Sequence, residues 1–138
     1  MNKINLSTNS FEDTMNFGIE FSKTIKKGDI IGLVGDLAAG KTTFVKGVLK
    51  GLNYDYTVSS PTFTLINNYE ADFNVMHVDF YREPNIKRWL ELGFQELIFS
   101  SDLVLIEWAN LIPELIPQEA KIIKFDHLKE NERKIHML

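Results

Sequence analysis

One stretch limits the folds open to this chain: Gly35-Asp36-Leu37-Ala38-Ala39-Gly40-Lys41-Thr42. It spells G-x-x-x-x-G-K-T, a glycine-rich loop that wraps phosphate groups and works only between a buried strand and a helix N-terminus. Both neighbours fit. Asp29 to Val34 is a short apolar run, as a parallel strand covered on both faces should be. Thr43 to Lys50 puts Phe44, Val45, Val48 and Leu49 on one helical face. A βα unit of this kind predicts an α/β fold. The full reading is a three-layer sandwich of the phosphate-loop NTPase type, with a mixed sheet, a parallel core and antiparallel strands.

The loop's chemistry follows from its geometry. Successive backbone N–H groups turned inward form an anion nest, reinforced by the positive end of the following helix. Asp36, Leu37, Ala38, Ala39 and Gly40 supply the backbone of that nest, Lys41 reaches the β- and γ-phosphates, and the Thr42 hydroxyl ligates Mg²⁺. Thr43 is either a further phosphate contact or simply a first-turn helix residue. The expected ligands are therefore a nucleoside triphosphate and Mg²⁺.

The chain has 138 residues, enough for one domain (1–138), and no cysteine, which rules out disulfides and thiolate metal sites. It has no apolar run long enough to span a membrane and no signal-peptide core, so a cytoplasmic protein with no membrane partner is expected. A net charge of −4 argues against a broad nucleic-acid surface.

In chain order, Lys3 to Leu6 reads as an edge strand. Ser10 with Asp13 is a partial capping box that opens a helix over about 10 to 26. Its expected core face runs through Phe11, Met15, Ile19, Ser22 and Ile25, widened by Phe17 and Phe21. Phe63 to Tyr69 and Val75 to Tyr81 form a hairpin. A helical stretch follows Pro84-Asn85, with Gly93 as its stop. Leu103 to Ile106 is a buried strand ending in Glu107-Trp108, and Ala109 to Ile116 a short helix. Two strand-like runs, 120 to 128 and 133 to 138, pair antiparallel.

Residues that can complete a phosphate site cluster near strand ends. Glu107 sits where the second acidic element of such sites lies, either touching the metal or reaching it through water. Asp79 either positions or deprotonates the attacking water, or pairs with Arg82. Arg82 either approaches phosphate or is structural. His77 shares the Asp79 side of its strand and either orients Asp79 or is a hydrogen-bonded, half-buried histidine. Thr62, in Ser-Pro-Thr-Phe, is either a γ-phosphate-sensing hydroxyl or a turn residue. Trp108 packs near the nucleotide or in the core.

Taken together, four blocks resemble the TsaE family (also called YjeE), the small ATPase of bacterial tRNA threonylcarbamoyladenosine synthesis. They are Gly35 to Phe44, Ser60-Pro61-Thr62-Phe63, His77-Val78-Asp79-Phe80-Tyr81-Arg82 and Ile106-Glu107-Trp108-Ala109. The resemblance covers roughly residues 10 to 117 and is far more specific than the phosphate loop alone. It implies ATP and Mg²⁺ as ligands. It also implies the TsaB and TsaD proteins as partners, with tRNA met only through their complex. By motif position it implies Lys41 and Thr42 on phosphate and metal, Glu107 on the metal, Asp79 as the catalytic acid, Thr62 as the switch threonine, and Arg82 and Trp108 near the nucleotide or partner surface. The family commonly has Gly where this chain has Ala38. A positive φ there would strain the loop by about 1 kcal/mol. Other readings of the loop are a small-molecule or nucleotide kinase, a GTPase switch and a nucleotide-responsive binding module. The span 83–101 offers only Lys87 and Arg88 towards a kinase lid, and no guanine-reading Asn/Thr-Lys-x-Asp segment occurs.

Overall fold

The computed structural model describes residues 5–36, 40–58, 65–129 and 132–138. Seven strands form one sheet in the order β1-β7-β6-β2-β5-β4-β3. They are β1 (Asn5–Thr8), β2 (Asp29–Gly35), β3 (Ile66–Glu70), β4 (Asn74–Asp79), β5 (Leu103–Glu107), β6 (Lys121–His127) and β7 (Arg133–Met137). β6, β2, β5 and β4 run parallel; β7 and β1 on one side and β3 on the other are antiparallel. The expected parallel core with antiparallel flanks is therefore present. The sequence reading had paired β6 with β7; β6 also joins β2 in parallel.

Two helices cover one face: α1 (Phe11–Ser22) and α2 (Lys41–Gly51). Ile31, Leu33, Phe44, Val48, Leu103 and Leu105 are packed there with no exposed surface, each burial stabilising by about 1.5–3 kcal/mol. The other face carries α3 (Ile86–Glu91), α4 (Phe94–Leu97) and two 3₁₀ turns, Ala109–Leu111 and Pro113–Leu115. They pack Trp89, Phe94, Ile112 and Leu115 onto Val78, Val104 and Ile106. A continuous helix from 109 to 116 was expected. Pro113 forbids it, because Ile112 before it is held at φ −132°, ψ 72°, outside the helical region.

α1 begins as read: Ser10 accepts a hydrogen bond from Asp13 N–H at 3.0 Å, and Asn9 N–H donates to Asp13 Oδ2 at 3.0 Å. It stops four residues short of 26. The hydroxyls of Ser22 and Thr24 bond back to the carbonyls of Ile19 and Phe21, at 2.6 and 2.8 Å, which competes with further helical turns. Its buried face keeps Phe21, Ser22 and Ile25 of the expected one and differs from it at the start of the helix. Thr14, Gly18, Phe21 and Ser22 point inward, while Phe11 is exposed. The cause is close approach of α1 to α2. A Cβ on Gly18 would lie 2.5 Å from Phe44 O and 2.9 Å from Gly47 Cα. Backbone meets backbone here, so small residues must face the contact and the larger ones are turned aside.

Candidate functional site

β2 ends at Gly35 and α2 starts after Gly40, so both ends of the loop lie at the C-terminal edge of the parallel strands, where ligands bind in open α/β sheets. Gly35 and Gly40 have φ of 149° and 103°, angles a side chain would strain. Leu37, Ala38, Ala39 and Thr62 lie outside the described residues.

Lys41 is buried at the first position of α2. Its ammonium donates to the carbonyls of Gly35 and, at 3.1 Å, Asp36. It also lies 3.8 Å from the centroid of the Trp108 ring. Burial pushes its pKa below the ordinary lysine value, opposed by the nearby carboxylates of Glu107, Asp79 and Asp36. The Asp36 side chain is exposed, and Thr43 is half-buried in the first turn of α2.

The neighbouring strands bring the acids to the same edge. Asp79 and Glu107 are register partners at the ends of β4 and β5, and Glu107 also pairs with Leu33 of β2. Strand alternation puts 75, 77 and 79 of β4, and 103, 105 and 107 of β5, on the face covered by α2. Thr42 Oγ1 therefore meets the Glu107 carboxylate, at 3.1 Å from Oε1 and 3.3 Å from Oε2.

His77 proves to be fully buried, with Nε2 2.5 Å from Glu107 Oε2. It serves Glu107 rather than Asp79. Same-strand alternation gave the correct face, but the partner comes from β5, because the parallel register sets Glu107 diagonally across from His77. Asp79 Oδ1 accepts a hydrogen bond from Tyr81 N–H at 2.9 Å. Burial raises the Asp79 pKa, the Glu107 charge adds to this, and the Tyr81 N–H, His77 and Arg82 oppose it. Arg82 is exposed and forms no ion pair with Asp79 among the described residues.

Trp108 lies beside Lys41 at the same edge. It takes the left-handed conformation, φ 59°, ψ 39°, uncommon for a bulky residue. That turn lays the indole under Lys41 and against Tyr81, ring centroids 4.9 Å apart. Lys41, Glu107, Asp79 and Trp108 thus meet at one edge.

Two cavities border the loop, and residues that the sequence reading had not singled out line them. One, of about 350 Å³, is bounded by Asp36, Trp108, Asn110, Lys124 and Asp126. The other, of about 130 Å³, lies among Ser10, Phe11, Thr14, Gly40, Thr43 and Arg133. Lys124, Asp126 and Arg133 come from the last two strands, where no motif marks them; only the pairing of β6 with β2 carries them to the loop. Among the described residues no group of three or more His, Cys, Asp or Glu side chains forms a metal cluster. No described helix is long and apolar enough to cross a membrane.

Comparison with known proteins agrees with this geometry. A Treponema pallidum protein, "tRNA threonylcarbamoyladenosine biosynthesis protein TsaE", is 32% identical over 126 residues, covering 91% of this chain and 93% of the relative. The Bacillus subtilis protein of the same name is 41% identical over 111 residues, 80% of this chain and 69% of the relative. The crystal structure of YdiB from Bacillus subtilis superposes with a TM-score of 0.84 at 34% identity, covering 99% of this chain and 84% of that one. The profile of the family described as "Threonylcarbamoyl adenosine biosynthesis protein TsaE" matches residues 8–135, and the chain belongs to that family.

Proposed function

We propose that this chain is a Mg²⁺-dependent ATPase of the cytoplasm whose hydrolysis supports repeated turnover of the TsaB–TsaD complex. That complex transfers threonylcarbamoyl to adenosine 37 of tRNA. Family membership supports the pathway. The observation that carries the ATPase reading is the convergence of Thr42 Oγ1 and the Glu107 carboxylate, 3.1 Å apart, beside the buried Lys41.

The donor set fits Mg²⁺. A hydroxyl and one carboxylate are hard oxygen ligands, and this ion is typically held by one or two carboxylates plus substrate phosphates and water. Thr42 and Glu107 would hold it, and it would supply charge neutralisation at the β- and γ-phosphate oxygens. His77 donates to Glu107 and fixes its orientation, as outer-shell partners of metal carboxylates do.

The remaining residues have distinct tasks. Lys41 exchanges its carbonyl acceptors, Gly35 and Asp36, for phosphate oxygens. Asp36 to Thr43 wrap the phosphates with main-chain N–H groups. Asp79 keeps Oδ1 on Tyr81 N–H, while Oδ2 carries no hydrogen bond among the described residues. That oxygen orients the attacking water and accepts its proton, and burial of Asp79 makes it a better base. Thr62 senses the γ-phosphate, Arg82 approaches the phosphates from the strand end, and Trp108 with Tyr81 frames the mouth that the partners meet.

The test is phosphate release from ATP, alone and with TsaB–TsaD, with and without Mg²⁺. The expected result is Mg²⁺-dependent release that rises with the partners and is lost in Asp79→Asn. Appearance of a phosphorylated acceptor in place of free phosphate would point to a kinase. Equal release from wild type and Asp79→Asn would refute the reading.

A further inference from the structure

We infer that the groove of about 310 Å³ between α4 and the second 3₁₀ turn is a docking site for another protein, one that presents a bulky apolar side chain on a Lys- or Arg-rich segment. The site stands apart from the nucleotide reading and does not depend on it.

Its place in the sheet separates it from the phosphate loop. Ser100 to Asp102 link Phe99 to Leu103, the first residue of β5, and Gln118 to Ala120 link Pro117 to Lys121, the first of β6. Both walls of the groove thus lead into the N-terminal ends of parallel strands. Glu107 and Asp79 close the C-terminal ends of β5 and β4. A partner seated in the groove therefore leaves the Lys41 edge open.

The groove is preformed and apolar. Ile98 and Leu115 make its floor, each only 3% exposed and packed into the core on that face. Turns fix the backbone of both walls: Phe99 N–H donates to Glu96 O at 3.2 Å, and Ile116 N–H to Pro113 O at 3.1 Å. Phe99 lines the groove yet is 66% exposed. Covering that ring with a partner's apolar side chain removes it from water, which favours association.

Charge selects the occupant. From Trp89 to Ala120 the chain carries no Lys, Arg or His. Glu114 lines the groove, and Glu91, Glu96 and Glu119 are exposed on the same stretch. The cations that bound the stretch are Arg88, on α3, and Lys121, which is paired with Asp29 at 3.3 Å. An acidic rim repels phosphate, so nucleic acids and anionic lipid surfaces are disfavoured; it attracts cationic side chains that flank an apolar anchor. A second copy of this chain, with its net charge of −4, is disfavoured on the same ground.

The test is an NMR titration of the full chain with a short, helix-forming peptide of leucine and lysine, set against the same peptide with glutamate for lysine. The Leu–Lys peptide should shift the amide signals of residues 95–99 and 114–117, with affinity falling as salt rises. The Leu–Glu peptide should not bind. Phe99→Ser and Glu114→Lys should each weaken binding by about tenfold. Both side chains are exposed, so neither variant should change the melting temperature. Tyr56→Ala, at an exposed aromatic outside the groove, should leave binding unchanged. Equal binding of the two peptides, unchanged affinity in both groove variants, or shifts confined to other surfaces would overturn the inference. Concentration-dependent self-association that is lost in Phe99→Ser would overturn it by giving the groove to a second copy.

Discussion

Replacing Gly18 with alanine separates tertiary packing from helix propensity, because the two predict opposite signs. Gly18 lies in the middle of α1, where Ala is favoured over Gly by about 1 kcal/mol on propensity alone. In this fold the added Cβ would sit 2.5 Å from Phe44 O, 2.9 Å from Gly47 Cα and 2.9 Å from Val48 N. All three are backbone atoms, so no side chain can swing away. The first contact falls about 0.9 Å short of the 3.4 Å at which ordinary contact starts. The helices must part, and overpacking of this kind costs about 1–3 kcal/mol. With backbone on every side the cost belongs at the upper end, leaving a net loss of about 2 kcal/mol after the propensity gain. Unfolding entropy of about 2.1 cal/mol/K per residue over 138 residues converts this to a Tm lowered by about 7 °C. Thermal unfolding followed by circular dichroism reads it directly. Asn16→Ala, on the exposed side of the same helix, should melt at or above the wild-type temperature. A Gly18→Ala Tm equal to or above wild type would refute the close α1–α2 packing. Because α2 starts at Lys41, nucleotide affinity should fall in the same variant.

Other expectations follow from the site. Asp79 is buried with a raised pKa, so its stabilising contribution is full below the ordinary carboxylate pKa and is lost as pH rises through the folded-state value. Asp79→Asn should therefore melt above wild type at pH 7, with the gap closing as pH falls toward 3, while ATP hydrolysis is lost; melts across that range check the sign. His77→Phe removes the donor to Glu107 and should raise the Mg²⁺ concentration needed for half-maximal hydrolysis by about tenfold; an unchanged Mg²⁺ titration would contradict the orienting role. Of the two tryptophans, Trp89 is fully buried and Trp108 lies under the Lys41 ammonium. ATP should thus change the intrinsic fluorescence of Trp89→Phe but not of Trp108→Phe.

The strand and helix that flank the 35–42 pattern were legible because pattern, spacing and both neighbours fall within one short stretch. The acids were legible at the level of position, since Asp79 and Glu107 each close an apolar strand. What escaped was set by contacts between distant segments. The partner of His77 depends on the β4–β5 register, which alternation within one strand does not contain. The outward turn of Phe11 depends on how closely α1 approaches α2, a distance set by Gly18 and Gly47 together. Arg133 and Lys124 reach the loop only because β6 adds in parallel to β2 and brings β7 with it. Trp108 could be read as core or site from its bulk; its left-handed backbone, which sets the ring against Lys41 and Tyr81, is not written in the sequence.

The central claim is that ATP turnover at Lys41, Thr42, Asp79 and Glu107 sustains tRNA modification by the partner complex. The most direct measurement is threonylcarbamoyladenosine formed on tRNA over many turnovers by TsaB and TsaD, with this chain added as wild type, Lys41→Ala or Glu107→Ala. Sustained modification with wild type, and arrest after about one turnover with either variant, is the predicted result. Equal multiple-turnover modification with the variants, or without this chain, would contradict the account.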